Sequence, residues 1–133
     1  MSTQFHRLDE NPILSPQENH IPEGHGAFNP CVVKKDDLYH MLYRAESSPI
    51  KHYNQKMRLS TIWHTTSNNG LAFQERKPLI VPEHDWEMFG CEDPRVTFFE
   101  GKYYIFYTSL SVYPFAAPGI KVGVAVTKDL QTI

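Results

Sequence analysis

A chain of 133 residues that is 41% hydrophobic and 21% charged has the balance of one ordinary globular domain, which excludes a disordered or fibrous segment. Its formal net charge of -2, without any lysine or arginine run, supplies no electrostatic footprint for nucleic acid or an anionic membrane, so neither is expected as a partner. No apolar stretch reaches the length of a signal-peptide core or a membrane span, which makes the cytoplasm the expected compartment. The two cysteines, Cys31 and Cys91, lack the spacing of a disulfide scaffold or a metal motif.

Residues 1–27 are interrupted by Asn11-Pro12, Ser15-Pro16, Ile21-Pro22 and Gly24-His25-Gly26, and read as an extended lead-in. From Phe28 the composition turns to strand: Cys31-Val32-Val33-Lys34-Lys35, the acidic turn Asp36-Asp37, then Leu38-Tyr39-His40-Met41-Leu42-Tyr43-Arg44, which is a hairpin pattern. The same pattern recurs 64 residues later without a gap. Asn29-Pro30 falls on Asp93-Pro94, Val32 on Val96, Asp36-Asp37 on Glu100-Gly101, Tyr39 on Tyr103 and Tyr43 on Tyr107. A third β-branched run follows each hairpin, at 59–67 and 120–127, and each ends in Ser or Thr and a polar turn.

A unit of about sixty residues built from an inner hairpin, a third strand and a fourth is the pattern of a propeller blade. No helical period appears beside it. The alternative is a β-sandwich with a chance duplication, which the ungapped register disfavours. The fold expected is all-β, a β-propeller, with one blade over 28–89 and a second, incomplete, over 90–133. Rings need about four to eight blades, so the chain is expected to be the N-terminal part of a larger propeller.

The residues that can carry chemistry gather at Gly90-Cys91-Glu92-Asp93-Pro94-Arg95. Proline restricts the residue before it to extended backbone, so Asp93 is expected to present its carboxylate in a set direction as an acid or base. The plain alternative is a structural Asp-Pro turn. Alternation along a strand places Glu92 and Asp93 on opposite faces, which argues against a facing pair. Arg95 and Arg44 are placed to clamp a hydroxyl or an anion, Asn29 occupies the position of Asp93 in the first repeat, and Trp86 is the candidate platform for a sugar ring. Seven histidines show no metal-ligand spacing, and no nucleotide-binding or serine-hydrolase motif is present, so no metal or cofactor is expected.

Phe28-Asn29-Pro30, Tyr43-Arg44-Ala45, Ser67-Asn68-Asn69-Gly70-Leu71 with Phe73, Glu92-Asp93-Pro94-Arg95 and Gly119-Ile120-Lys121-Val122-Gly123-Val124-Ala125 resemble the N-terminal region of glycoside hydrolase family 130. The resemblance implies a five-bladed propeller and inverting phosphorolysis of β-mannoside oligosaccharides, with inorganic phosphate as co-substrate and α-mannose 1-phosphate as product. It implies that Asp93 is the general acid, working through the sugar's 3-hydroxyl, and that Asn29, Arg44 and Arg95 border the mannose subsite. It places the basic residues that hold phosphate beyond Ile133. Thr61 departs from an arginine found in some relatives. Hydrolysis of the same bonds, a glycosidase of another five-bladed family, and a sugar-binding module without catalysis are the competing readings.

An unpaired sheet edge in a partial ring invites pairing with a second copy. Sedimentation velocity of the chain is expected to show concentration-dependent association, and a monodisperse monomer that unfolds cooperatively would contradict this.

Overall fold

Alternation of side chains along the strands puts two different cores on the two faces of one sheet. The computed structural model describes residues 4–133. Its strands are β1 (Gly26–Lys35), β2 (Leu38–Glu46), β3 (Ile50–His52), β4 (Gln55–Met57), β5 (Ser60–Ser67), β6 (Gln74–Ile80), β7 (Gly90–Phe99), β8 (Lys102–Leu110) and β9 (Ile120–Thr127). One antiparallel sheet has the order β1-β2-β5-β6, a second has β7-β8-β9, and β3-β4 form a separate hairpin. Leu42, Ile62 and Ile80 of the first sheet pack on Cys91, Ile105 and Tyr107 of the second. Met41, Tyr43, Ala45 and Trp63 point the other way, onto Ile13 and Leu14 of the lead-in. Period 2 is therefore legible in β2: Leu42 faces the neighbouring sheet, and its flanking residues face the lead-in.

The hairpin turns form where the sequence tolerates left-handed backbone. Asp36-Asp37 (φ 48° and 63°), Tyr53-Asn54 (42° and 62°) and Glu100-Gly101 (47° and 75°) all have both central residues at positive φ, which matches the twist of the strands they join. The β3-β4 hairpin has no counterpart in the sequence reading. Pro78 sits in β6, the edge strand of its sheet, where its missing N–H costs no ladder bond.

The duplication holds in atomic detail. Ser67 Oγ donates to Asn69 Oδ1, which accepts from the Leu71 and Ala72 amides. Thr127 Oγ1 donates to Asp129 Oδ1, which accepts from Gln131 and Thr132. The repeat also reaches back into the segment read from sequence as an extended lead-in. Short 3-10 turns, Ile21–Glu23 and Asp85–Glu87, precede β1 and β7, and each ends in a buried glutamate. Glu23 accepts from Tyr43 Oη at 2.7 Å, and Glu87 accepts from Tyr107 Oη at 2.7 Å. His20 and His84, Glu23 and Glu87, and Gly26 and Gly90 keep the 64-residue spacing. Burial first, and the glutamate second, holds both phenols above their usual range.

Between the sheets lies a histidine pair. His40 Nδ1 and His64 Nε2 are 2.9 Å apart, and His64 Nδ1 is buried without a partner. Burial lowers both, with His64 down to about 4, and the charged groups around them are Lys35, Asp36, Lys77 and Asp129. Below the ordinary pKa of histidine, about 6.5, the unfolded chain binds protons that the folded pair refuses. Stability is therefore expected to fall as pH drops from about 6.5 toward 4, by roughly 2 kcal/mol at pH 5 from His64. Urea unfolding at pH 7.5 and pH 5 checks this, and His64→Gln should flatten the difference.

Candidate active site

The site is built by a repeated irregularity in β1 and β7. Between Phe28 and Cys31, and again between Glu92 and Arg95, the ladder shifts register, so that two residues oppose one on the partner strand. The extra residue pair is Asn29-Pro30 in the first sheet and Asp93-Pro94 in the second. Asn29 has φ 50° and Asp93 has φ 52°. The sequence expectation that Pro94 holds Asp93 extended is thereby corrected: both residues adopt the left-handed conformation that a bulge of this kind needs and that Asn and Asp tolerate better than other side chains.

This conformation turns the two side chains toward each other. Asn29 Nδ2 donates to Asp93 Oδ1 at 2.6 Å, joining the first strands of the two sheets. Arg44, on β2 beside β1, reaches the same place, with Nη1 3.6 Å from Asp93 Oδ1 and Nη2 2.7 Å from Glu92 Oε1. Its Nη2 also lies 3.3 Å from Glu46 Oε1, its Nε donates to Ser60 Oγ at 3.0 Å, and its guanidinium sits 4.8 Å from the centre of the Phe28 ring. Glu92 and Asp93 therefore converge on one cation, and strand alternation fails here because the bulge interrupts it.

Burial pushes the Glu92 carboxyl up, while Arg44 and a hydrogen bond with Ser60 pull it back. His25 Nε2 lies 3.3 Å from Glu46 Oε2 and closes the rim of the cluster. Beside Glu46 opens a groove of about 440 Å³ walled by Lys56, Arg58, Tyr113 and Phe115. Glu46, Ser60 and the Lys56-Arg58 edge of the small hairpin were not singled out from sequence, and Phe28 entered only as part of the Phe28-Asn29-Pro30 motif. Only their place in the fold brings them to Arg44 and its neighbours.

Of the residues that the sequence singles out, Asn29, Arg44 and Asp93 are brought together, and two are not. Arg95 is exposed, and its Nη1 donates to the Pro94 carbonyl at 2.7 Å. Trp86 stacks on His84 at 5.2 Å and tilts against Tyr107, on the side of β9. No hydrogen bond or aromatic contact joins Trp86 to the Asp93 cluster among the described residues. No group of three or more His, Cys, Asp or Glu among them is arranged to hold a metal ion. No helix among them is long and apolar enough to cross a membrane.

A family model described as beta-1,4-mannooligosaccharide phosphorylase matches residues 5–133. The chain is 35% identical over 108 residues to a beta-1,2-mannobiose phosphorylase of Thermoanaerobacter sp. (strain X514), a match covering 77% of this chain and 36% of that protein. A 1,2-beta-oligomannan phosphorylase of the same strain is 32% identical over 104 residues, covering 77% and 34%. The chain thus spans about a third of the length of the curated relatives it matches. Among solved structures, a glycosyl hydrolase from Bacteroides ovatus superposes with a TM-score of 0.74 at 28% identity, covering 92% of this chain and 38% of that one. The beta-1,2-mannobiose phosphorylase of Listeria innocua, in complex with beta-1,2-mannobiose, gives a TM-score of 0.75 at 19% identity, covering 94% and 48%. The two sheets are blades of that β-propeller fold.

Removing the one guanidinium strands three carboxylates at close range. Arg44→Met is expected to destabilise the chain by about 3 kcal/mol at pH 8, because Glu92 is mostly buried and keeps no cation. Without Arg44 the Glu92 carboxyl rises further, and a raised carboxyl favours the folded state as pH falls through it. The deficit in urea unfolding should therefore shrink at pH 5.

Proposed function

The chain belongs to glycoside hydrolase family 130, and from that membership we propose that it supplies the acid-bearing wall of an inverting β-mannoside phosphorylase. The observation that carries the reading is the contact of Asn29 and Arg44 with one oxygen, Asp93 Oδ1. With Oδ1 accepting from Asn29 and facing the Arg44 cation, Oδ2 is the oxygen left to carry and return a proton. Asp93 is then the general acid. Its proton reaches the glycosidic oxygen through the mannose 3-hydroxyl, the bond from C1 to that oxygen breaks, and a phosphate oxygen bonds to C1 from the opposite face. The products are α-mannose 1-phosphate and the shortened saccharide.

Phosphate takes the place of the water that a second carboxylate activates in an ordinary inverting hydrolase. This suits a site in which Glu92 is committed to Arg44 and has no free face to serve as a base. Asn29 and Arg44 border the mannose ring in this reading, and the groove beside Glu46 has room for the leaving sugar. Arg95 and Trp86 stay outside the first contacts of the mannose. The relatives that carry the names of β-1,2-mannobiose and β-1,2-oligomannan phosphorylases make a β-1,2-mannoside the first substrate to try. Inorganic phosphate is the second substrate, and no cofactor or metal enters the reaction.

The full-length protein incubated with β-1,2-mannobiose is expected to release mannose 1-phosphate only when phosphate is present. Asp93→Asn should lower kcat by about 10²-fold or more, the usual scale for loss of a general acid. Release of free mannose at the same rate without phosphate would establish hydrolysis instead.

A further inference from the structure

We propose that the groove beside Glu87 is the seat of an extended strand that pairs with the outer edge of β9 and brings an arginine to the Glu87 carboxylate. This rests on the blade reading of the second sheet and adds what the pairing strand must carry. The first sheet shows the finished arrangement. There Glu23 has no solvent exposure, accepts from Tyr43 Oη, and is met by Arg76 Nη1 at 3.0 Å. Arg76 belongs to β6, the strand that pairs with β5. A fully buried carboxylate is costly unless a cation and hydrogen bonds accompany it, and Arg76 supplies the cation.

The second sheet repeats every part but that one. Glu87 is 2% exposed and accepts from Tyr107 Oη at 2.7 Å, from the Glu83 amide at 3.1 Å and from the Cys91 thiol at 3.6 Å. These donors are all neutral, and no lysine, arginine or histidine forms an ion pair with it among the described residues. In the order β7-β8-β9, β9 is bonded on one side alone. Next to that edge lies a groove of about 300 Å³ lined by Leu79, His84, Trp86, Glu87, Val124 and Ile133. β9 corresponds to β5 through the matching Ser67 and Thr127 turns, so the groove occupies the place that β6 fills in the first sheet. Leu79, Val124 and Ile133 give it apolar ground on which a strand can pack, and the carboxylate at its base suits an arginine that the strand carries inward, as β6 carries Arg76.

β6 itself is the probe already shaped for such a seat. A fluorescent peptide with the sequence of residues 73–82 is titrated into the chain and read by anisotropy, with hydrogen exchange following the amides of β9. We expect saturable binding, slowed exchange along Ile120–Thr127, and a Kd raised about tenfold or more for the peptide carrying Arg76→Met. In the Glu87→Gln chain, which keeps an acceptor for Tyr107, the two peptides should bind alike. Slowed exchange on β9 with equal affinities for both peptides would overturn the arginine while leaving the blade reading intact. Absence of saturable binding by either peptide would overturn the seat altogether. The peptide comparison on the unsubstituted chain decides the matter even where Glu87→Gln does not fold.

Discussion

The hydrogen bond from Asn29 to Asp93 exists because two strands leave regular geometry at the same step. A strand that kept its pleat would send residues 28, 30 and 32 to one face and 29, 31 and 33 to the other, and the two sheets would meet through apolar side chains alone. The two-for-one bulge inserts a left-handed residue at Asn29 and at Asp93. Each bulge bends its strand and re-aims one polar side chain out of the ladder. Pro30 and Pro94 follow directly, and a proline N has no hydrogen to leave unsatisfied where the ladder is broken. The bulge is thus the device that lets an all-β scaffold gather polar groups at the seam between two sheets whose interface is otherwise hydrophobic.

Once gathered, the groups constrain one another. Arg44 is the single guanidinium among Glu46, Glu92 and Asp93. Its planar fork is spent on Glu92 at one nitrogen and Asp93 at another, and its flat face lies near Phe28. A lysine in its place would offer a point charge with no second direction, so it could not hold both carboxylates at fixed angles. Ser60 completes the arrangement from β5 by meeting Arg44 Nε. The cluster keeps an excess of negative charge, and this disfavours a further ionised carboxylate nearby.

The parts of this architecture that were legible in the sequence are those set by local chemistry. Hairpins announced themselves by Asp36-Asp37 and Glu100-Gly101, and the repeat by an ungapped register. The equivalent places of Asn29 and Asp93 followed from aligning the two repeats, and Arg44 was drawn to them by the family resemblance. Two features escaped because a local rule was overridden. Proline disfavours helical backbone in the residue before it, which argues for extended geometry, yet the left-handed region was selected by the ladder on either side. The Glu23-Tyr43 and Glu87-Tyr107 pairs escaped because 3-10 turns of three residues carry no period to detect. His20-x-x-Glu23 and His84-x-x-Glu87 could have disclosed them, had the repeat been followed upstream of Phe28. Trp86 looked like a platform because it lies near Asp93 in sequence, but a 3-10 turn carries it to the β9 side.

The duplication is close in the backbone of the hairpins and selective in chemistry, and the selection follows from which atoms are used. At Asn69 and Asp129 it is Oδ1 that accepts the backbone amides in both turns, while Asp129 Oδ2 also accepts from the Thr132 hydroxyl. For those backbone bonds an amide oxygen and a carboxylate oxygen serve equally, and the accepted bonds, led by that from Gln131, hold Asp129 well below the usual carboxylate range. At Asn29 and Asp93 the two side chains meet each other, so one must donate. Two carboxylates with oxygens at that separation cannot both be ionised, and sharing a proton would tie Asp93 to its twin. Placing the amide at 29 removes that conflict and leaves the acid at 93 with a neutral donor on one oxygen. The asymmetry between the repeats at this one step is therefore what spares Asp93 from sharing a proton with a second carboxylate.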